Sequence, residues 1–328
     1  MSFLKNPGKR VVGIGSALID VLAQVSDDFL TDVSDVKGGM TLVENDFIHR
    51  VTKRLAGIPD IVPGGATCNT MIGIGKLGGD SSFVGQCGDD ELGRLFEQGL
   101  IKSGVKPRLF KSQTPTGRVL SLITPDAQRS MFTYLGASAE MDPAAILADF
   151  FHEAAVVMIE GYLVFNRSLM MASLEAAKKA NASIALDLAS FTVVESSRDF
   201  IFENVVDHVD ILIANEDEAR VFSGTDDEDE ALSILSKFAD TAVLKLGKNG
   251  SLIAREGKVT RVAPLSGRAA LDTTGAGDLW AAGFLYGLTH GYSLEQAGYI
   301  GSACGYEVCQ VTGANIPEEG WSRIKKFL

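Results

Sequence analysis

A chain of 328 residues, 46% hydrophobic and 22% charged, has the material for one large α/β domain with a sizeable core. Asp and Glu number 42 against 30 Lys and Arg, a net charge of −12 that disfavours nucleic acid and anionic membrane surfaces as main partners. No apolar run reaches the length of about 20 residues needed to span a bilayer. The N-terminal stretch MSFLKNPGKRVVGIGS lacks the apolar run of a secretory signal. Cys68, Cys87, Cys304 and Cys309 show neither C-x-x-C spacing nor a neighbouring His, so they read as reduced, buried small side chains of a cytoplasmic protein.

In chain order, residues 11–15 (VVGIG) read as a buried strand and 20–25 (DVLAQV) as a second, alternating one. A short strand follows at 37–43, behind two glycines. Residues 66–78 suit a tightly packed helix, Ser82–Val84 a strand, and 90–103 a helix. The β-rich runs TGRVLSLIT and RSMFTYL, separated by Pro-Asp-Ala-Gln, predict a hairpin over 116–134. From there strands and helices alternate: AAVVMIE, an Ala-rich helix at 168–181, SIALDL, DILIANEDEARVF, TAVLKLG, SLIARE and a long helical region after Gly275. That alternation predicts a mainly parallel central sheet with helices on both faces, in a single domain over 1–328. The distant β-rich segments, about 16–50 and 112–136, are expected to pair as a small β-sheet lid. The acidic run 225–230 reads as a solvated loop and helix start.

The strongest local signal is Asp272-Thr-Thr-Gly-Ala-Gly-Asp278, ahead of an apolar helical run. Amides of Gly275, Ala276 and Gly277 fall at a helix N-terminus, where unpaired N–H groups and the helix dipole favour phosphate oxygens. Asp278 in the first turn points into the same space, and the positive helix end favours its ionised form. A carboxylate would repel a phosphate it merely bound. It serves a purpose if it accepts the proton of a hydroxyl attacking that phosphate. The plain alternative is a first-turn Asp that complements the helix dipole.

This motif resembles the C-terminal signature of the ribokinase-like (pfkB-type) carbohydrate kinases, a family that includes adenosine kinases. A second stretch is similar to the family's N-terminal signature: Gly64-Gly65-Ala-Thr-Cys-Asn69, then GQCGDDELGRLF at 85–96. The resemblance covers nearly the whole chain and implies an ATP- and Mg2+-dependent kinase with a ribokinase-like fold and an alcohol group as acceptor.

It also implies roles. Asp20, Gly64, Gly65 and Asn69 would bind substrate hydroxyls, and Asn215 with Glu218 would hold magnesium through water, because magnesium sheds its hydration shell reluctantly. Lys245, Gly247 and Gly250 correspond to the nucleotide loop, where Lys245 stands in place of the family's usual Thr. This loop is not a P-loop, since no G-x-x-x-x-G-K-[ST] occurs, and Gly13-Ile-Gly15 lacks the third glycine of a dinucleotide fingerprint. Arg129 matches the place of an arginine that neutralises the transferring phosphoryl group, with Arg118 a nearby competitor. Phe132 and Tyr134 either wall a base or fill the lid core. Residues 37–43, RSMFTYLGAS and EGYL (160–163) look closest to the bacterial adenosine-kinase-like branch. The expected acceptor is therefore a nucleoside, adenosine foremost. A kinase of ribose, fructose or a related sugar is the near alternative, and a non-catalytic ligand-binding protein on the same fold the distant one. Either a monomer or a homodimer fits the resemblance.

Overall fold

The computed structural model describes residues 4–35, 37–126 and 128–328. Met1–Phe3 of the N-terminal stretch, Val36 within the expected lid segment and Ala127 of the expected hairpin loop lie outside the described residues.

The strands are β1 (Arg10–Ile14), β2 (Leu18–Gln24), β3 (Met40–Leu42), β4 (Asp60–Gly64), β5 (Ser81–Gly88), β6 (Val105–Ser112), β7 (Thr116–Ile123), β8 (Arg129–Gly136), β9 (Ala154–Glu160), β10 (Ser183–Asp187), β11 (Ile211–Asn215), β12 (Thr241–Lys245), β13 (Ser251–Arg255) and β14 (Lys258–Val262). Between them run helices α1 (Asp27–Val33), α2 (Asn45–Thr52), α3 (Ala66–Leu77), α4 (Glu91–Lys102), α5 (Arg167–Lys179), α6 (Phe191–Phe200), α7 (Glu216–Ser223) and α8 (Glu228–Leu235). The chain closes with α9 (Ala276–Thr289), α10 (Leu294–Val308) and α11 (Glu318–Ile324).

Nine strands form the central sheet in the order β14-β13-β12-β11-β10-β9-β1-β5-β6. The run from β12 to β6 is parallel, and β13 and β14 extend it as an antiparallel edge. Alternate residues of each strand feed two cores, as the two-residue side-chain period requires. Val11, Met158 and Ile213 join α3, α9 and α10 on one face. Val12, Val157 and Leu212 join α5, α6, α7 and α8 on the other. Phe83 and Phe96, both fully buried, meet edge to face at 5.5 Å between β5 and α4.

The small sheet has the order β3-β8-β7-β2-β4, so the two β-rich segments do pair. Its far edge, β4, lies beyond the segment expected to end near residue 50. β2 begins two residues earlier than its pattern predicted and is buried on both faces rather than alternating, because one face covers a cavity and the other packs on α1 and α2. Asp90 ties the lid to the main domain. Its carboxylate caps α4 through the Gly93 N–H at 2.7 Å and also accepts from the Thr116 N–H at 2.8 Å, where β7 starts.

All four cysteines are free thiols, Cys309 partly exposed and the others buried. Among the described residues no helix is long and apolar enough to cross a membrane.

The α9–α10 contact depends on backbone proximity. A Cβ at Gly283 would stand 2.7 Å from the backbone of Ile300 and Gly301. Gly283→Ala should therefore lower the unfolding free energy by about 1–3 kcal/mol, despite alanine's better helix propensity, as read from a denaturant titration.

Candidate active site

The carboxyl ends of β1, β9, β10 and β12 and the inner face of the small sheet enclose a cavity of about 350 Å3. Period-2 alternation decides which lid side chains enter it. Asp20 from β2, Val119 and Ser121 from β7, Met131 and Thr133 from β8, and Met40 and Leu42 from β3 all face inward. Phe132 and Tyr134 have the opposite parity, and Phe132 packs on Phe47 of α2 with ring centroids 5.0 Å apart. They are lid core, not a base wall. The cavity's aromatic side chains are Tyr162 and Phe165, from the turn after β9.

Asp20 is buried, and burial pushes its carboxyl up to about 6 against the pull of Arg129. Gly64 lies outside the cavity lining; a Cβ there would overlap the Asp20 carboxyl, so this glycine makes room for the acid. Gly65 does line the cavity, at φ +98, and begins α3. On the central sheet, Glu160 ends β9 and accepts from the N–H groups of Ser16 (2.9 Å) and Thr67 (3.1 Å).

α3 also grips α9. Asn69 Nδ2 donates to Asp278 Oδ2 at 2.9 Å, and the Thr70 hydroxyl donates to the Asp278 carbonyl at 3.1 Å. Asp278 is the third residue of α9, beside Gly275, Ala276 and Gly277, all of which line the cavity. Its titration differs from the expectation drawn from the helix dipole. Burial raises the carboxyl to about 7; the Asn69 hydrogen bond and Lys245 oppose the rise, and Asp187 and Glu160 add to it.

The loop before α9 is pinned by Asp272, whose oxygens accept from Thr274 N–H (2.9 Å), the Thr274 hydroxyl (2.7 Å) and Gly313 N–H (2.8 Å). Arg129, at the start of β8, donates to the Thr274 hydroxyl, so it joins the lid to this loop and lines the cavity. Arg118 turns outward to Asn45 and His49 on α2. Of the two arginines, the geometry brings only Arg129 to the site.

Asn215 and Glu218 form a capping box at the start of α7. The Asn215 N–H and Nδ2 donate to the Glu218 carboxylate at 2.8 and 2.7 Å, and the Glu218 N–H returns a bond of 2.9 Å. Glu218 reaches the cavity and Asn215 orients it from behind. Burial, then Asp187, push Glu218 up to about 7, with Lys245 pulling the other way. Lys245 lines the cavity and donates to Asp187 Oδ2 at 2.7 Å, both side chains being buried. Gly247 and Gly250 lie in the β12–β13 turn outside the cavity lining; Gly250, at φ +90, packs against the Val262 carbonyl with no space for a Cβ.

Glu160, Asp187 and Asp272 escaped the reading of the sequence. The first two left a signal, a lone acid closing an apolar strand (VVMIE, IALD) at the sheet edge where α/β ligands gather. Asp272 was visible only as part of the DTTGAGD string.

A mainly parallel sheet, a β-lid and a carboxylate beside a helix-start amide cradle define a small-molecule kinase of the ribokinase-like kind. The pfkB family carbohydrate kinase signature matches residues 40–320, and the chain belongs to that family of kinases, whose members here act on sugars or nucleosides. The adenosine kinase from Sinorhizobium meliloti superposes with a TM-score of 0.90 at 31% identity, over 98% of this chain and 99% of that one. The 5-dehydro-2-deoxygluconokinase of Geobacillus thermodenitrificans is 28% identical over 297 residues, 86% of this chain and 88% of its own length. Adenosine kinase 1 of Arabidopsis thaliana is 26% identical over 338 residues, 94% of this chain and 96% of its own.

A raised carboxyl is a stability statement. Asp278 titrates at about 7 in the fold against 3.8 as an ordinary aspartate, so its contribution is fully present below the lower value and lost as pH rises to the upper. Asp278→Asn should therefore increase the unfolding free energy, by on the order of 1–4 kcal/mol near pH 8 and distinctly less near pH 5. Denaturant titrations at the two pH values check the sign and the trend.

Proposed function

We propose that this kinase transfers the γ-phosphoryl group of ATP to the hydroxymethyl group of a nucleoside, adenosine foremost. One observation carries the choice of acceptor. The buried Asp20 carboxylate faces a wall of Met40, Leu42, Met131, Leu163, Phe165 and Leu169, more apolar surface than a free sugar can use. A carboxylate suits a ribose diol, since two hydroxyls can donate to it, and the apolar wall suits the flat face of a base. Asp20 and Glu160, both buried, and the half-buried Asp278 are acids around the same space, and together they oppose an anionic acceptor.

In this reading Asp20, Asn69 and the Gly65 backbone orient the acceptor, while Gly64 keeps Asp20 seated. Asp278 takes the hydroxymethyl proton; a base titrating near 7 is matched to neutral pH. The amides of Gly275, Ala276 and Gly277 and the Arg129 guanidinium stabilise charge on the transferring group. Lys245, with the turn containing Gly247 and Gly250, lies on the nucleotide side. Closure of the lid excludes water, which would otherwise compete as acceptor.

Magnesium fits the residues present. Glu218 is buried, aimed into the cavity by Asn215, and shares its surroundings with Asp187 and Asp278, whose negative charges a divalent cation would relieve. Among the described residues no three His, Cys, Asp or Glu side chains form a direct metal site, so Glu218 and Asn215 would hold the ion through its waters. Once bound, it would neutralise phosphate charge.

A free-sugar kinase is the second reading. The 28% identity to a 5-dehydro-2-deoxygluconokinase favours it, and Asp20 and Asn69 serve any diol. ADP release across adenosine, other nucleosides, ribose, fructose and 5-dehydro-2-deoxygluconate separates the two. Adenosine should lead in kcat/KM by about 100-fold or more, a gap of roughly 3 kcal/mol in transition-state binding. A sugar or the sugar acid in first place would overturn the nucleoside reading. Asp278→Asn should lower kcat by about 100-fold or more with ATP binding retained by calorimetry; near-native turnover would remove Asp278 from the role of base.

A further inference from the structure

One buried ion pair lines the cavity. Lys245 ends β12 and Asp187 ends β10, with β11 between them, and Nζ stands 2.7 Å from Asp187 Oδ2. The second Asp187 oxygen is held by the Ala189 N–H at 2.9 Å, which fixes the carboxylate in place. A Cβ on Gly277 would stand 3.0 Å from the Lys245 ammonium, so the charge lies directly against the amide cradle. Around it are Asp187 from β10, Glu218 from α7 and Asp278 from α9.

A purely structural pair is a poor explanation. Two apolar side chains would hold the strand ends at least as well as a buried ion pair. Both groups also line the cavity instead of sealing it from behind. An ammonium here places a full positive charge against the amide cradle.

We infer that Lys245 is a catalytic residue whose ammonium contacts the phosphoryl group during transfer, and that Asp187 is its positioning residue. The inference rests on the kinase reading but not on the identity of the acceptor. In the step itself, the bond from the γ-phosphorus to the β,γ-bridging oxygen breaks and a bond to the acceptor oxygen forms. The acceptor proton passes to Asp278 and ADP departs. Lys245 makes and breaks no covalent bond; it meets the negative charge on the phosphoryl oxygens beside the Gly275–Gly277 amides.

The test uses the full chain and whichever acceptor the wild type turns over fastest. In Asp187→Asn/Lys245→Met the pair is replaced by neutral side chains of similar size, so the fold should persist by circular dichroism. Its kcat should fall by about 100-fold or more while the acceptor KM stays within about threefold. Lys245→Ala should regain at least about tenfold in kcat, saturably, on addition of ethylamine, which should do nothing for Asp278→Asn. Asp187→Asn added to Lys245→Ala should cost no further activity, the non-additivity of residues acting as one unit.

A folded Asp187→Asn/Lys245→Met variant within about threefold of wild-type kcat would overturn the role of Lys245. If that variant does not fold, the amine arm decides, and absence of rescue overturns it. A wild type silent on every acceptor would sink the kinase reading itself, an outcome distinct from an active wild type with an equally active double variant.

Discussion

Buried negative charge at the carboxyl edge of the parallel sheet is the constraint on which the rest of this molecule turns. Glu160, Asp187, Glu218 and Asp278 all converge on one cavity, with Asp20 facing them from the lid. Isolated carboxylates in such a place would cost several kcal/mol each. Each is instead given donors: two backbone amides for Glu160, an ammonium and an amide for Asp187, the capping box for Glu218 and an amide side chain for Asp278. What remains is negative charge aimed at the cavity, which a phosphate-bound cation would offset.

The surrounding architecture serves that arrangement. Parallel strands align their carboxyl ends, so β9, β10 and β12 can each close on a charged residue that lines the cavity. α3 and α9 approach closely because Gly73 meets Ala282 and Leu279 without an intervening Cβ. That contact brings Asn69 within hydrogen-bonding distance of Asp278 across 209 positions of sequence. The lid is held at both ends of its central strands, by Asp90 on Thr116 and by Arg129 on Thr274. Its position is thus linked to the cradle loop through a single guanidinium.

Much of this could be read from residues alone. Apolar periodicity located the parallel strands other than β6, whose half-exposed edge sequence VKPRLFKS carries little apolar signal, and DTTGAGD located the cradle, because glycine and helix-start chemistry are local. Arg129, Asp20, Asn69 and Glu218 came from the resemblance, and the structure brings them into one cavity. What residues alone leave open is mostly non-local. Whether Phe132 and Tyr134 wall the cavity or fill the lid core depends on strand parity relative to a partner sheet, which composition does not encode. β4 reads weakly because its Pro63 and two glycine neighbours are uncharacteristic of a strand; pairing with β2 makes it one. The place of Gly64 outside the lining, where a Cβ would overlap the Asp20 carboxyl, depends on a neighbour 44 positions away. The upward shift of the Asp278 carboxyl comes from burial, which is not visible in sequence as the helix dipole is.

The order in which the chain emerges during synthesis gives the Asn69–Asp278 bond a further meaning. The lid and its anchoring helices are complete by residue 136, whereas the cradle and Asp278 arrive only after residue 272, within the last fifth of the polypeptide. Until α9 docks on α3, a nascent chain has the lid and Asp20 but neither Asp278 nor the amide cradle. The two sides of the cavity are therefore assembled from distant parts of the polypeptide, and a copy truncated before residue 272 lacks one of them altogether.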